Sequence, residues 1–231
     1  MSERGRILKH TEMCQAEGIS LQKGMNFCPL KDHSILLMSL RKDAPYQDRV
    51  EDDGLTLIYE GHDASRGATL PNPKSVDQPK YLPSGKLTEN GKFFEAANRH
   101  KLGRGTRLVR VYEKLRDGIW ADNGDFQLVD AWQEADHARQ VFKFKLVISR
   151  QGDPSKSDRF TEKVDRTRII PSAVKQEVWL RDGGKCSLCN AKDELHFDHI
   201  IPYAKGGSSL IAKNIQLLCA RHNLEKRDKI E

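Results

Sequence analysis

Four sulfur and nitrogen donors fall in two pairs in the last fifth of the chain: Cys186 with Cys189, and Cys219 with His222, each pair separated by two residues. A Cys-x-x-Cys followed by a Cys-x-x-His supplies the donor set of a tetrahedral structural zinc. Between the pairs lies Asp198-His199, a hard oxygen ligand beside a titratable base. A sulfur-rich site that holds the fold and an oxygen site left for an oxygen-preferring ion are thus interleaved in one short segment. That combination points to phosphodiester hydrolysis, which needs a nucleophile, charge stabilisation at the phosphate and help for the leaving oxygen. Neutral imidazole at His199 can take a proton from water near working pH. Asp198, its neighbour, should point to the opposite side of a β-strand and can hold a divalent cation. A bare zinc ribbon without catalysis is the plainer alternative for the four donors, and a lone Asp-His dipeptide would mean nothing without this spacing.

Residues 166–229 resemble the HNH nucleases of the ββα-metal class, in the subgroup where a zinc knuckle braces the catalytic hairpin. The resemblance runs through Trp179, Asp182 and Cys186 of the lead-in, the central Asp198-His199-Ile-Ile-Pro, the Gly206-Gly207 turn, and the closing Cys219-x-x-His222-Asn223-x-x-Lys226. It implies that His199 is the general base and that Asp198 and Asn223 hold the catalytic Mg²⁺ or Mn²⁺. Asn214 would then fix the catalytic loop through hydrogen bonds to backbone. Many relatives have Cys where this chain has His222; imidazole is a normal zinc ligand, so Cys186, Cys189, Cys219 and His222 are assigned to zinc. His196 is left open between a phosphate contact, a supporting role and a half-buried strand position. Lys226, Arg227 and Lys229 either grip phosphate or match a helix dipole.

Net charge is +6 over 231 residues, with twelve Lys and Arg against eight Asp and Glu from Arg166 onward, so four of the six excess charges lie at the nuclease-like end. A polyanionic partner fits that balance. Three of the five cysteines belong to the proposed zinc set, and Cys14 and Cys28 give no disulfide framework. No apolar run approaches the roughly 20 residues of a membrane helix. A reducing, cytoplasmic setting is expected.

Such a site needs a scaffold, and the preceding residues read as one. A short helix is expected around residues 7–17. Strands are expected at 33–40 and 55–59. Residues 61–85, punctuated by Gly67, Pro71, Pro73, Pro79, Pro83 and Gly85, form a long loop that we expect to face nucleic acid. A helical patch follows at 93–98. Three β-type segments come next, at 106–112, 126–132 and 141–148, with Asp122-Asn-Gly124 as a turn signal between the first two. In the last, Phe142, Phe144 and Leu146 should face a core while Lys143 and Lys145 stay wet. The region reads as a strongly bent sheet or barrel with one or two helices.

This region resembles the SRA domain, whose members read modified cytosine by flipping the base into a pocket. The resemblance is carried by Tyr46-Gln-Asp48, Tyr59-Glu-Gly61, Lys86-Leu-Thr-Glu-Asn90 with Ala97-Asn98, Val109-Arg-Val-Tyr112, Asp117-Gly-Ile-Trp120 and Leu128-Val-Asp-Ala-Trp132. It implies that Tyr46 and Tyr59 are the two aromatic walls of a flipped-base pocket. The acidic residue expected about three positions after the first Tyr is replaced by Arg49; Asp48 is the nearest substitute, and Asp52 the next.

The expected protein is therefore α+β: an SRA-like, PUA-like bent sheet over residues 1–150, a linker over 151–165, and a zinc-braced HNH domain over 166–231. The implied function is modification-dependent cleavage of double-stranded DNA carrying modified cytosine, 5-methylcytosine first among the candidates. One site of this kind cuts one strand, so a double-strand break calls for two protomers, as in a homodimer, or two binding events. The alternatives are a catalytically inert reader braced by zinc and a modification-blind nicking enzyme.

Overall fold

The computed structural model describes residues 4–41, 43–51, 54–68, 70–149, 169–202 and 205–226. The linker 151–165, Asp52, Arg227 and Lys229 lie outside the described residues.

The scaffold is one large mixed sheet. Its strands are β1 (Ile7–Lys9), β2 (Met25–Asn26), β3 (His33–Met38), β4 (Arg49–Glu51), β5 (Thr56–Glu60), β6 (Arg107–Arg116), β7 (Ile119–Asp136) and β8 (Arg139–Ile148), with α1 (His10–Glu17) and α2 (Glu89–Lys101) beside it. The order is β2-β3-β6-β7-β8-β5-β4, with β1 added on β7. Every pairing is antiparallel except β3 with β6. Shifts of register in β6–β7 and β7–β8 mark bulges, which add local twist and bend the 18-residue β7.

One core lies between this sheet and α2. Phe93 of α2 meets Phe144 of β8 edge-on at 5.9 Å, and Phe94 meets Phe142 at 5.5 Å. Val109, Val111, Phe126 and Leu146 complete it. Truncating Phe93 would cost about 3–5 kcal/mol by leaving a cavity. Thr88 starts α2 as an N-cap, accepting from Gly91 N–H at 3.1 Å, and Arg99, His100 and Lys101 complement its C-terminal dipole.

A smaller unit follows: α3 (Ser172–Arg181), the antiparallel hairpin β9 (Leu195–His199) and β10 (Ile215–Cys219), and α4 (Ala220–Lys226). Its apolar interior is Val174, Val178, Leu195, Phe197, Ile215 and Leu217. The chain start ties this unit to the large sheet. Gly5 N–H donates to Asp122 C=O at 2.7 Å on one side, and Gly5 C=O accepts from Phe197 N–H at 2.9 Å on the other. Gly5 has φ +85°, and a Cβ there would stand 3.0 Å from the Phe197 carbonyl oxygen, so glycine suits both the conformation and the approach. Lys175 of α3 reaches across to Glu113 of β6 and to Asn123, each at 2.6 Å, with both charged groups buried. Burial opposes ionisation of Glu113, but Lys175, with Ser172 and Asn123, outweighs it and holds the carboxyl below its usual range.

Several expectations need correction. Residues 7–9 are strand, and the helix begins only at His10. Asp122-Asn-Gly124 is no turn: it lies inside β7, where Gly124 takes φ +82°, and the β6–β7 reversal falls at Asp117-Gly118 instead. The Asn-Gly signal marks the irregular pairing opposite Arg110–Tyr112. Lys143 is not wet; it is 2 % exposed because its ammonium pairs with Glu60 at 2.9 Å. Alternation predicts the face a side chain takes, whereas a buried carboxylate decides whether that face is solvated.

Candidate functional site

The four soft donors converge. Cys186 and Cys189 lie on the loop between α3 and β9, while Cys219 ends β10 and His222 sits in α4. All four ligand atoms lie within 4.8 Å of one another. Cys186 Sγ is 3.3 Å and Cys219 Sγ 3.5 Å from His222 Nδ1, and Cys189 Sγ is 3.8 Å from Cys219 Sγ. A tetrahedron with zinc–sulfur bonds of about 2.3 Å has edges of roughly 3.8 Å, so the set fits zinc. The sulfurs are too far apart for a disulfide, and all five cysteines are free. Burial works against the Cys186 thiolate, yet hydrogen bonding from the Cys219 and Cys189 backbone and from His222 outweighs it and brings the thiol down to about 6. A site that favours thiolate is primed for a cation.

Next to this cluster, the end of β9 presents Asp198 and His199. His199 Nε2 lies 2.8 Å from Ser209 Oγ. In the tautomer whose Nε2–H donates to Ser209, Nδ1 carries the lone pair that can accept a proton. Burial lowers the pKa of His199 and favours the neutral ring; Asp198 works against that shift. Asp198 accepts from the ammonium of Lys226, which also donates to the His199 carbonyl. Lys226 is fully buried, so it reaches inward to the strand carrying both residues. Asn223 precedes Lys226 by three residues on α4, a spacing that makes the two neighbours on the helix surface.

Asn214, just before β10, ties down the loop that follows His199. Its side-chain oxygen accepts from Ile201 N–H at 2.8 Å, and its amide donates to the carbonyls of Ile201 at 3.0 Å and Ser208 at 3.1 Å. The loop leaves no room for a side chain at Gly207, where a Cβ would fall 1.8 Å from the Ile201 carbonyl oxygen. His196 lies on the same strand, forming a bridge to Arg6, and its Nδ1 is 3.0 Å from the Glu194 carbonyl. Ser209 was not foreseen, because a serine in a polar loop carries no spacing signal.

A second site opens on the large sheet. Tyr46, Asp48, Tyr59 and His62 line a cleft of about 800 Å³, with Arg41, Lys23 and Lys114 at its margins. Asp48 Oδ1 accepts from Glu60 N–H at 3.0 Å, and Oδ2 from Ser39 N–H at 3.3 Å. Burial nevertheless dominates and raises Asp48 to about 7. Beneath it, Glu60 holds Lys143, and Arg139 reaches Asp63, so the floor is ionic and rigid. Tyr59 is fully buried; its hydroxyl donates to the Leu37 carbonyl at 3.3 Å and lies 3.1 Å from His62 Nε2. Tyr46 is half-buried and stacks on His62, with ring centroids 5.1 Å apart and planes 11° apart. His62 touches both tyrosines, stacked on the Tyr46 ring and tilted by 39° against Tyr59, which it meets at the hydroxyl.

Comparison with known proteins found matches to a family model and to solved structures. Residues 186–229 match the family model described as HNH endonuclease, so the small unit is an HNH endonuclease domain and the chain carries an enzyme's catalytic module. No curated protein matches the chain. Among solved structures, the SUVH5 SRA domain in complex with hemi-methylated CG DNA is similar at 24 % identity, covering 64 % of this chain and 88 % of that one with a TM-score of 0.42. A second SUVH5 SRA structure, with methylated CHH DNA, covers 66 % and 92 % at 21 % identity and a TM-score of 0.45. The modification-dependent TagI restriction endonuclease covers 96 % of this chain and 76 % of its own at 17 % identity, with a TM-score of 0.42. The architecture is α+β: a large mixed sheet with α2 packed on it, and a small ββα unit that carries the Cys₃His cluster.

Proposed function

We propose that this protein is a modification-dependent DNA endonuclease, in which the sheet over residues 1–150 extrudes a modified cytosine and the unit over residues 166–231 hydrolyses a nearby phosphodiester. What supports the reading is a segment that matches the HNH family and carries Asp198 and His199 at the end of β9, Asn214 just before the paired β10, and a Cys₃His cluster beside the hairpin. A divalent ion such as Mg²⁺ or Mn²⁺, held by Asp198 and Asn223, would supply charge stabilisation at the scissile phosphate. His199, with its free nitrogen at Nδ1, takes the proton from the attacking water. Asn214 keeps the backbone after His199 in register, and Lys226 fixes the Asp198 carboxylate from its buried side. In the sheet, Tyr46 offers a ring for stacking, and Asp48 a carboxyl for the base edge.

The partner is double-stranded DNA with modified cytosine, 5-methylcytosine first. Nicking by one site makes a double-strand break the work of two protomers or two events. We place the activity in the cytoplasm on the strength of the reduced cysteines; among the described residues no helix is long and apolar enough to cross a membrane.

The test is incubation of matched methylated and unmethylated duplexes with the protein in Mg²⁺ or Mn²⁺. Cleavage of the methylated duplex alone is expected. Equal cleavage of both removes the reader, and cleavage of neither in any divalent ion removes the nuclease.

A further inference from the structure

We propose that His62 is the ring an extruded base must displace in order to stack on Tyr46, so that this imidazole sets the threshold for entry to the cleft. The inference rests on reading the cleft as a base pocket, and adds the state of that pocket before DNA arrives. Three observations carry it. The His62 ring lies nearly parallel to Tyr46 at 5.1 Å, within the range of a stacked aromatic pair, and 6.2 Å from the Tyr59 ring. It therefore covers the face of the Tyr46 ring on which a planar base would stack.

The backbone of His62 cannot follow the ring out. Its N–H donates to Asn90 Oδ1 and its C=O accepts from Asn90 Nδ2, each at 2.8 Å, which restricts any change to the side-chain torsions. The ring itself is held by one hydrogen bond, to the Tyr59 hydroxyl at 3.1 Å, and by the stack. Behind it the chain passes close: a Cβ on Gly24 would come within 2.6 Å of His62 Nε2 and 2.7 Å of the Tyr59 oxygen. Movement onto Gly24 is blocked, and the cleft that His62 lines gives room elsewhere for the ring to turn. An incoming base thus exchanges one stacked ring for another, and the cost of lifting the imidazole is subtracted from its affinity.

The test uses the full chain and a duplex with a single 5-methylcytosine beside its unmodified counterpart. With ¹³C-labelled histidine, the His62 ring protons should show the ring-current shift of a stacked imidazole in the free protein. That shift should vanish on the methylated duplex and persist on the unmodified one. His62→Ala should bind the methylated duplex about threefold to tenfold more tightly, the worth of one aromatic stack, with binding to the unmodified duplex unchanged. If wild type prefers methylated DNA but keeps the shift when bound, and His62→Ala binds it more weakly, His62 is a fixed wall and the proposal is overturned while the reader stands. If wild type does not distinguish the duplexes, reader and proposal both fall. The resonance experiment on wild type decides the matter even if the variant is unstable.

Discussion

In the hairpin unit, four ligand atoms gather within 4.8 Å beside an apolar cluster, and Asp198 and His199 sit at the end of a five-residue strand. In the large sheet, the Tyr46 cleft rests on an extensive hydrocarbon core and on a buried ionic floor of Glu60, Lys143 and Arg139. The hairpin unit adds to its apolar cluster a donor set that one ion can bridge, whereas the sheet relies on burial alone. Coordination is therefore available to order the first, and packing orders the second.

Removing the metal should have the largest effect and should divide the two regions. Structural zinc supplies on the order of 10 kcal/mol in small domains. Elemental analysis should find one zinc per chain, and Cys219→Ser should lose it. In that variant the amides of β9 and β10 should exchange rapidly while those of β5 through β8 stay protected. Equal protection throughout would mean that packing alone holds the hairpin.

Next in size is His199→Ala, expected to lower the cleavage rate by about 10²- to 10⁴-fold without changing affinity for methylated DNA. Binding measured on an uncleavable duplex separates the two effects, and rapid cutting by the variant would assign the base elsewhere.

The same contrast explains how much could be read in advance. Cys186, Cys189, Cys219 and His222 were legible because metal coordination demands residue types at fixed spacing, and Asn214 because the resemblance gave its place in the motif. Ser209 and the inward turn of Lys226 were not, since each depends on where a loop or helix end folds back. In the sheet, the strands around Phe142 and Phe144 followed from alternation, but the burial of Lys143 depended on Glu60, 83 residues away. His62 lay within a loop expected to meet nucleic acid, and nothing local distinguished it from its polar neighbours.

The smallest effect belongs to pH. Burial raises Asp48 from its ordinary value of 3.8 to about 7, so the folded chain holds this proton more tightly than the unfolded one. Its contribution to stability is complete below 3.8 and is lost as pH climbs through about 7. Asp48→Asn should flatten the decline in melting temperature of the sheet between about pH 4 and 7, by several degrees, and leave zinc content unchanged. An unaltered pH profile would show that Asp48 remains ionised across that range.

The separation of reading from cutting is tested most directly by Tyr46→Ala, scored as the ratio of cleavage rates on methylated and unmethylated duplexes in Mn²⁺. The expected result is a ratio that falls to about one while metal-dependent cutting of both duplexes persists. A variant that keeps the wild-type ratio, or that loses metal-dependent cutting altogether while retaining its zinc, would contradict the division of the chain into a packed reader and a coordinated nuclease.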